Sequence, residues 1–166
     1  MAAKRHKFHL LKGYFNTNTC DSLYDYLKDN IKWGEGIKSK NRHTRSAKSY
    51  NPEDFIELII DDFPEVVATI SDIIVRFSGR KQWAGLYLNY YKDGNDWTPN
   101  HKHPGTTQIV ISLGETRTFQ YGKKDILSEN GDIFIFGSGI HGVAKEPAVK
   151  KGRISIALFM IDGHDG

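Results

Sequence analysis

The second half of the chain reads as short strand-like segments separated by glycine-containing turns. From Trp83 onward, apolar stretches alternate with the turn sequences DGND, LGET, YGKK, ENGD and VKKG. The strands predicted from this pattern cover residues 85–91, 107–113, 116–121, 124–127, 132–137, 142–146 and 153–161. About seven short strands in about 80 residues are typical of a double-sheet β barrel or jelly roll.

The first half of the chain carries the predicted helices. The expected elements there are a strand over residues 7–13 and helices over residues 17–30, 51–60 and 64–78. Apolar residues recur at three- and four-residue steps in the first helix, which Asn18 or Thr19 can cap. Pro52 and Pro64 fit the first turns of the other two helices. The predicted class is α+β, a double-stranded β-helix (jelly roll) barrel braced by N-terminal helices.

Length and composition fit one folded domain. The chain has 166 residues, of which 39% are hydrophobic and 26% are charged. No apolar run approaches the roughly 20 residues that cross a membrane, and the basic N-terminus lacks the apolar stretch of a secretory signal. Cys20, the one cysteine, is expected to be a buried thiol in a reducing compartment. We therefore expect a monomeric intracellular protein, in the cytoplasm or the nucleus, with a single domain over residues 1–166.

Positive charge is concentrated in residues 33–50, a polar segment that predicts one or two exposed hairpin strands or a functional loop. Between Glu35 and Glu53 there are five basic residues and no acidic one. The five are Lys38, Lys40, Arg42, Arg45 and Lys48. Such a run fits a polyanionic partner, and it fits a solvated basic loop equally well.

Three histidines are candidates for a metal site. His101 and His103 are two residues apart, so on a strand they would share one face. His141 would have to join them from a strand across the barrel. Neutral imidazoles bind Fe(II), Zn, Ni or Cu, and open positions on iron permit oxygen chemistry. An H-x-H pair is also common as a structural or adventitious feature, so both interpretations stay open.

Three other residues are candidates for an anion site. Arg153 begins an otherwise apolar strand, where a buried guanidinium would need a partner such as a ligand carboxylate. Asn89 and Tyr91 are two residues apart and could offer an amide and a phenol to the same ligand. The alternatives are an arginine at an exposed strand start and a tyrosine that packs inside the barrel.

An ordered series of motifs goes beyond these spacings. NYYKDGND, a histidine ten residues after Tyr91, IVISLGETRTFQY, NGDIFIFGSGIHGV and GRISIALF resemble the AlkB-like Fe(II)- and 2-oxoglutarate-dependent dioxygenases. The resemblance covers residues 83–160 closely. It extends more loosely to residues 33–50, where that family keeps a nucleotide-recognition lid. It implies a jelly-roll core over residues 83–161, preceded in residues 1–82 by a strand, helices and the lid.

The resemblance also implies roles for individual residues. His101 and His141 would be iron ligands, and Arg153 would pair with the 5-carboxylate of 2-oxoglutarate. The same cosubstrate would be contacted by Asn89, Tyr91 and Ser155. Arg117 is expected to be structural.

The chain departs from the family pattern around the metal site. His103 stands where the family has an aspartate ligand, and Phe159 stands where it usually has a second arginine. Pro104 and Gly105 replace acidic residues that commonly follow. Replacing the aspartate ligand by a neutral imidazole removes the negative charge that a second buried arginine would balance. The loss of the aspartate and the loss of the arginine therefore compensate each other in charge. We therefore expect a three-histidine site that binds Ni, Cu or Zn more tightly than a site with an aspartate ligand would. Asp96 is a possible substitute carboxylate, but it matches the family's turn and is expected to serve structure.

The function implied by the resemblance is oxidative demethylation or hydroxylation of nucleobases in DNA or RNA, with Fe(II) and 2-oxoglutarate as cofactors. The residues expected to contact the nucleic acid are Trp33, Lys38, Arg42, Arg45, Tyr50 and Trp97. For the aromatic ones, packing under a loop is an equal alternative. Two other functions remain open, an oxygenase acting on a protein or a small molecule, and a catalytically inactive nucleic-acid-binding member of the fold.

Overall fold

The computed structural model describes residues 8–34, 36–39, 42–78 and 82–161. Its helices are α1 (Thr17–Asn30), α2 (Pro52–Ile59) and α3 (Pro64–Ser78). Its strands are β1 (His9–Leu11), β2 (Ile37–Ser39), β3 (Arg42–Tyr50), β4 (Gln82–Tyr91), β5 (Thr98–His101), β6 (Thr106–Gly114), β7 (Arg117–Tyr121), β8 (Lys124–Ser128), β9 (Ile133–Phe136), β10 (His141–Val143) and β11 (Arg153–Ile161). All predicted elements are present, and β5 is a strand that the turn and periodicity signals do not predict.

Two antiparallel sheets form the jelly roll. The larger sheet has the strand order β1-β9-β6-β11-β4-β3-β2, and the smaller sheet has the order β5-β10-β7-β8. Phe119 and Val143 of the smaller sheet share an apolar cluster with Phe134, Phe136 and Ala157 of the larger sheet. Among the described residues no backbone pairing joins the two sheets. The predicted jelly roll is therefore confirmed as two facing sheets rather than as a closed barrel.

The helices cover the outer face of the larger sheet, as predicted. Leu23 of α1 is buried in the same core as Ile111 of β6. The cap of α1 lies earlier than expected, because the side chain of Asn16 accepts the backbone N–H of Thr19 at 2.8 Å. Asn18 and Thr19 therefore lie inside the first turn and are not caps. No helix in the described ranges is long and apolar enough to cross a bilayer.

The basic segment forms a hairpin at one edge of the larger sheet. β2 pairs with β3, and β3 pairs with β4. This confirms the hairpin interpretation of residues 33–50. The pairing places Ala47 of β3 opposite Asn89 of β4, so the hairpin borders the strand that carries two of the candidate anion-site residues.

Candidate metal centre and anion pocket

His101 and His141 face each other across two neighbouring strands. β10 pairs with β5, and His141 lies directly opposite His101 in that pairing. The centroids of the two rings are 4.5 Å apart, as expected for cross-strand neighbours. The prediction that His141 comes from a strand across the barrel is therefore wrong, since it is carried by the adjacent strand of the same sheet.

His103 joins the cluster from beyond the end of its strand. β5 ends at His101, so strand alternation is not what places His103. It lies in the following turn, where the hydroxyl of Thr106 donates to the His103 carbonyl at 2.7 Å. The available ligand atoms of the three histidines all lie within 4.8 Å of one another. The structure thus brings together the three residues that the sequence proposes as metal ligands.

Backbone carbonyls orient two of the rings. Nδ1 of His101 lies 2.7 Å from the carbonyl oxygen of Pro99, and Nδ1 of His141 lies 2.8 Å from that of Gly139. Because a carbonyl only accepts, Nδ1 carries the hydrogen in each neutral ring and Nε2 keeps its lone pair. This is the arrangement that metal-binding histidines use to fix their tautomer and orientation.

Burial favours the neutral form of His103 and His141, which is the form that binds metal. Desolvation lowers the pKa of His141 to about 4, although its hydrogen bond to Gly139 opposes the shift. Desolvation also lowers the pKa of His103, and the neighbouring His101 adds to the effect. The ligand nitrogen of a neutral imidazole carries no proton that a metal would have to displace. His103 and His141 can therefore both coordinate a metal at neutral pH.

The three histidines line a cavity with a volume of about 480 Å³, and Arg153 is a buried cation in its wall. The residue is 1% exposed, which excludes the alternative of an arginine at an exposed strand start. Its NH2 group donates to Ser112 at 2.9 Å and to Ser128 at 3.2 Å, while Nε and NH1 have no partner. Desolvation lowers its pKa and the neighbouring Tyr91 hydroxyl opposes the shift, but a guanidinium stays protonated in proteins in any case. Unused N–H donors on two nitrogens of a buried cation favour an anionic ligand.

The other residues expected to contact the cosubstrate, Asn89, Tyr91 and Ser155, line this cavity as well. Because β11 pairs with β4, Arg153 lies opposite Tyr91 and Ser155 lies opposite Asn89. The hydroxyls of Tyr91 and Thr98 are hydrogen-bonded at 2.5 Å, and the guanidinium carbon of Arg153 lies 5.3 Å from the Tyr91 ring centroid. Tyr91 therefore packs inside the sandwich and borders the anion pocket at the same time.

Arg117 is buried to the same extent but has the bonds of a structural residue. Its Nε meets Glu146 at 3.3 Å, and its NH1 and NH2 groups donate to three backbone carbonyls at 3.1, 2.6 and 2.7 Å. This agrees with the structural role expected for it. Asp96 is also used locally, because its carboxylate accepts the backbone N–H of Lys92 at 2.9 Å. Asp96 is not part of the histidine cluster.

The residues present fit a divalent metal with an acidic cosubstrate. No aspartate or glutamate is found among the described residues that line the cavity. The three imidazoles bring no charge to a metal, and Arg153 faces no protein anion. A dicarboxylate would therefore meet positive charge at both ends. Phe159 packs edge-on against His103 with ring centroids 5.0 Å apart, so the position of the family's second arginine is apolar here.

Among the predicted nucleic-acid contacts whose side chains are described, Arg45 alone lines the cavity. Its Nε donates to Oδ1 of Asn89 at 2.8 Å, which links the hairpin to the anion pocket. Lys38 is exposed on β2 and Trp97 is half-buried before β5, and both lie outside the cavity lining. The side chain of Arg42 lies outside the described part of the chain.

Two of the proposed stacking residues belong to the scaffold. The ring centroid of Trp33 lies 5.2 Å from that of Tyr90, and the ring centroid of Tyr50 lies 5.8 Å from that of Phe55. Both pack against the core between the larger sheet and the helices. For Trp33 and Tyr50 the packing alternative therefore applies.

Gln108 is a cavity residue that the sequence analysis does not identify. It lies on β6, is 2% exposed, and its Nε2 has no hydrogen-bond partner. The one available signal is a glutamine at the start of the apolar run IVISL, where a polar side chain that faces a core needs a partner. Ser112 and Ser128 are missed for a different reason, since only the fold brings them to Arg153.

Neither a protein-family model nor a curated protein matches the sequence. Solved structures match in fold. The viral collagen prolyl hydroxylase of Paramecium bursaria Chlorella virus-1, in its 2OG complex, has a TM-score of 0.64 at 11% identity, over 94% of this chain and 96% of that one. OsALKBH1 has a TM-score of 0.60 at 16% identity, over 95% and 99%. The non-heme alpha-ketoglutarate-dependent epimerase SnoN from nogalamycin biosynthesis has a TM-score of 0.68 at 10% identity, over 93% and 77%. The chain therefore has the jelly-roll fold that Fe(II)- and 2-oxoglutarate-dependent oxygenases share.

Proposed function

We propose that this protein is an Fe(II)- and 2-oxoglutarate-dependent dioxygenase with a three-histidine metal site, acting on modified nucleobases in DNA or RNA. The observation that carries the proposal is one cavity that holds a cluster of three imidazoles and a buried arginine with two nitrogens whose donors are unused. The residues assigned to the metal are His101, His103 and His141, and those assigned to 2-oxoglutarate are Asn89, Tyr91, Arg153 and Ser155.

The protein supplies position and charge to this chemistry. When bound, Fe(II) and 2-oxoglutarate would supply the oxidation chemistry: with O₂, the cosubstrate would be converted to succinate and CO₂ while the substrate is hydroxylated. An unused N–H group of Arg153 would donate to one carboxylate of the cosubstrate, which would fix the direction in which the cosubstrate lies. The carbonyls of Pro99 and Gly139 hold two imidazoles with Nε2 available. Burial of Arg153 excludes water from the ion pair and strengthens it.

A nucleobase substrate is supported by the charge beside the cavity. Arg45 lies in the cavity wall, and Lys38 is exposed on the same hairpin. Basic side chains at that place suit phosphate contacts, while the base itself would have to leave its stack to reach the metal. Hydroxylation of an N-methyl carbon would give a hemiaminal that releases formaldehyde and the unmodified base.

Other substrates have specific support as well. The likeness to a collagen prolyl hydroxylase supports a protein side chain, and the likeness to an epimerase of nogalamycin biosynthesis supports a small molecule. A catalytically inactive binding protein is favoured by His103 and Phe159, which replace the family's carboxylate ligand and its second arginine. The unused donors of Arg153 favour an enzyme, because a binding module has no need of a cosubstrate pocket.

The test is succinate formation by protein that has been loaded with Fe(II) without oxygen and then exposed to air. The reaction is run with 2-oxoglutarate alone, with an N-methylated single-stranded oligonucleotide, and with the unmethylated oligonucleotide as control. We expect succinate to rise with the methylated strand alone. Slow succinate indifferent to the oligonucleotides would keep the oxygenase and reject the nucleobase. Absence of succinate with metal confirmed bound would reject the enzyme.

A further inference from the structure

Gln108 and Arg153 are the two residues of the described chain with buried polar side-chain atoms that lack partners. Both line the same cavity, and both are nearly inaccessible to solvent. Buried amide and guanidinium donors are almost always bonded, because an unpaired one carries a free-energy penalty. Two such groups in one cavity therefore indicate a ligand with hydrogen-bond acceptors at two places.

The neighbours of Gln108 place it opposite the histidine cluster. In the sheet register Gln108 lies between Phe136 of β9 and Phe159 of β11. Residues directly opposite each other in an antiparallel sheet project to the same side, and all three line the cavity. The ring centroid of Phe136 lies 4.7 Å from that of His141, and that of Phe159 lies 5.0 Å from that of His103. Gln108 is thus flanked by the two phenylalanines that touch the metal cluster.

The spacing between the two groups fits a five-carbon diacid. Arg153 is hydrogen-bonded to Ser112, which lies four residues after Gln108 on β6. Four residues of strand span about 13 Å. Two hydrogen bonds of about 3 Å each leave room between them for a short dicarboxylate. The group at the Gln108 end would lie beside the metal.

On the basis of the proposed function, we propose that Gln108 donates its Nε2–H to the 1-carboxylate of the 2-oxo acid, next to the metal, while Arg153 holds the 5-carboxylate. Gln108 is in this sense a binding and positioning residue. Phe159 stands where an arginine would otherwise lie, so this end of the cavity has no arginine. The neutral amide of Gln108 supplies a hydrogen-bond donor there and adds no positive charge to a metal site that lacks a carboxylate ligand. The amide would select 2-oxo acids over ketones of the same length.

The test compares two ligands that differ at one end only. 2-Oxoglutarate and 4-oxopentanoate both have the distal carboxylate and the ketone, but 4-oxopentanoate has a methyl group in place of the 1-carboxylate. Dissociation constants are measured by NMR titration of Zn(II)-loaded protein, which has no turnover. We expect Gln108→Leu to weaken 2-oxoglutarate about tenfold or more and to leave 4-oxopentanoate unchanged. Arg153→Met is the matched control, because it removes the distal anchor and should weaken both ligands.

Two further observations keep the test decisive. Gln108→Leu removes a buried amide nitrogen that has no partner, so the melting temperature of the metal-free protein should not fall, and Gln108→Met replaces it if that variant does not fold. Equal weakening of both ligands, or unchanged affinity for 2-oxoglutarate, would overturn the role of Gln108. Wild-type protein that binds Zn(II) but not 2-oxoglutarate would instead refute the proposed function itself, and with it this inference.

Discussion

Arg153 and Arg117 form a matched pair that separates a binding residue from a structural one. Both are 1% exposed, and their guanidinium carbons lie 5.3 and 5.4 Å from the ring centroid of Tyr91. They differ in their bonds, because Arg117 is fully bonded to the protein while Arg153 leaves two donors unused. We predict that substitution by methionine has different effects at the two sites.

At Arg153 the gains and losses in stability nearly cancel. The substitution removes two hydrogen bonds from a charged group, worth about 1.5–3 kcal/mol each, and two unpaired donors that cost about 1–3 kcal/mol each. Ser112 and Ser128 keep a partner, because their hydroxyls are hydrogen-bonded to each other at 2.5 Å. The free energy of unfolding should stay within about 2 kcal/mol of the wild-type value. Affinity for 2-oxoglutarate should fall by about 2–5 kcal/mol, or roughly 30-fold to several thousand-fold.

At Arg117 nothing offsets the loss. The substitution leaves Glu146 without its cation and takes the Arg117 donors from the part-buried carbonyls of Asp96 and Ala144, while the carbonyl of Asp93 keeps the backbone N–H of Asp96. We therefore expect the free energy of unfolding to fall by about 3–5 kcal/mol. The assay is urea unfolding of both metal-free variants, followed by titration of the Zn(II)-loaded proteins with 2-oxoglutarate. If Arg153→Met destabilises the protein as much as Arg117→Met and binds 2-oxoglutarate like the wild type, Arg153 is structural and the argument from unused donors is wrong.

Three further predictions concern the histidines and the hairpin. His103→Asp replaces an imidazole by a harder oxygen donor, so the ratio of Ni(II) to Mn(II) affinity should fall about tenfold in a competition titration, and an unchanged ratio would mean that His103 is not a ligand. Burial lowers the pKa of His141 from 6.5 to about 4, so the unfolded chain binds the extra proton between these values and stability falls as pH falls. The metal-free protein should lose up to about 3 kcal/mol over that range in urea titrations, and His141→Phe should remove this part of the pH dependence. Lys38→Ala should reduce the salt dependence of single-stranded oligonucleotide binding by about 0.7 in the log–log slope if Lys38 contacts a phosphate, whereas an identical slope would place the strand elsewhere.

Local patterns in the sequence predict the kind and order of the elements, with β5 as the exception. Glycine turns and hydrophobic periodicity act within a few residues, so they specify α1 over Thr17–Asn30 and β11 over Arg153–Ile161 before any long-range contact forms. The sequence also identified the residues whose chemistry is unusual for their surroundings. Histidines two residues apart and an arginine at the head of an apolar strand stand out in any β-rich segment.

Only the tertiary structure decided which of these residues meet. Strand pairing joins residues distant in the chain, and it placed His141 opposite His101 on an adjacent strand of the same sheet. It also packed the rings of Trp33 and Tyr50 against the core between the larger sheet and the helices. It also decided that Arg153 keeps two donors unused. Whether a buried polar group finds a hydrogen-bond partner depends on every side chain around it, and these side chains come from distant parts of the chain. A local sequence pattern therefore cannot predict it.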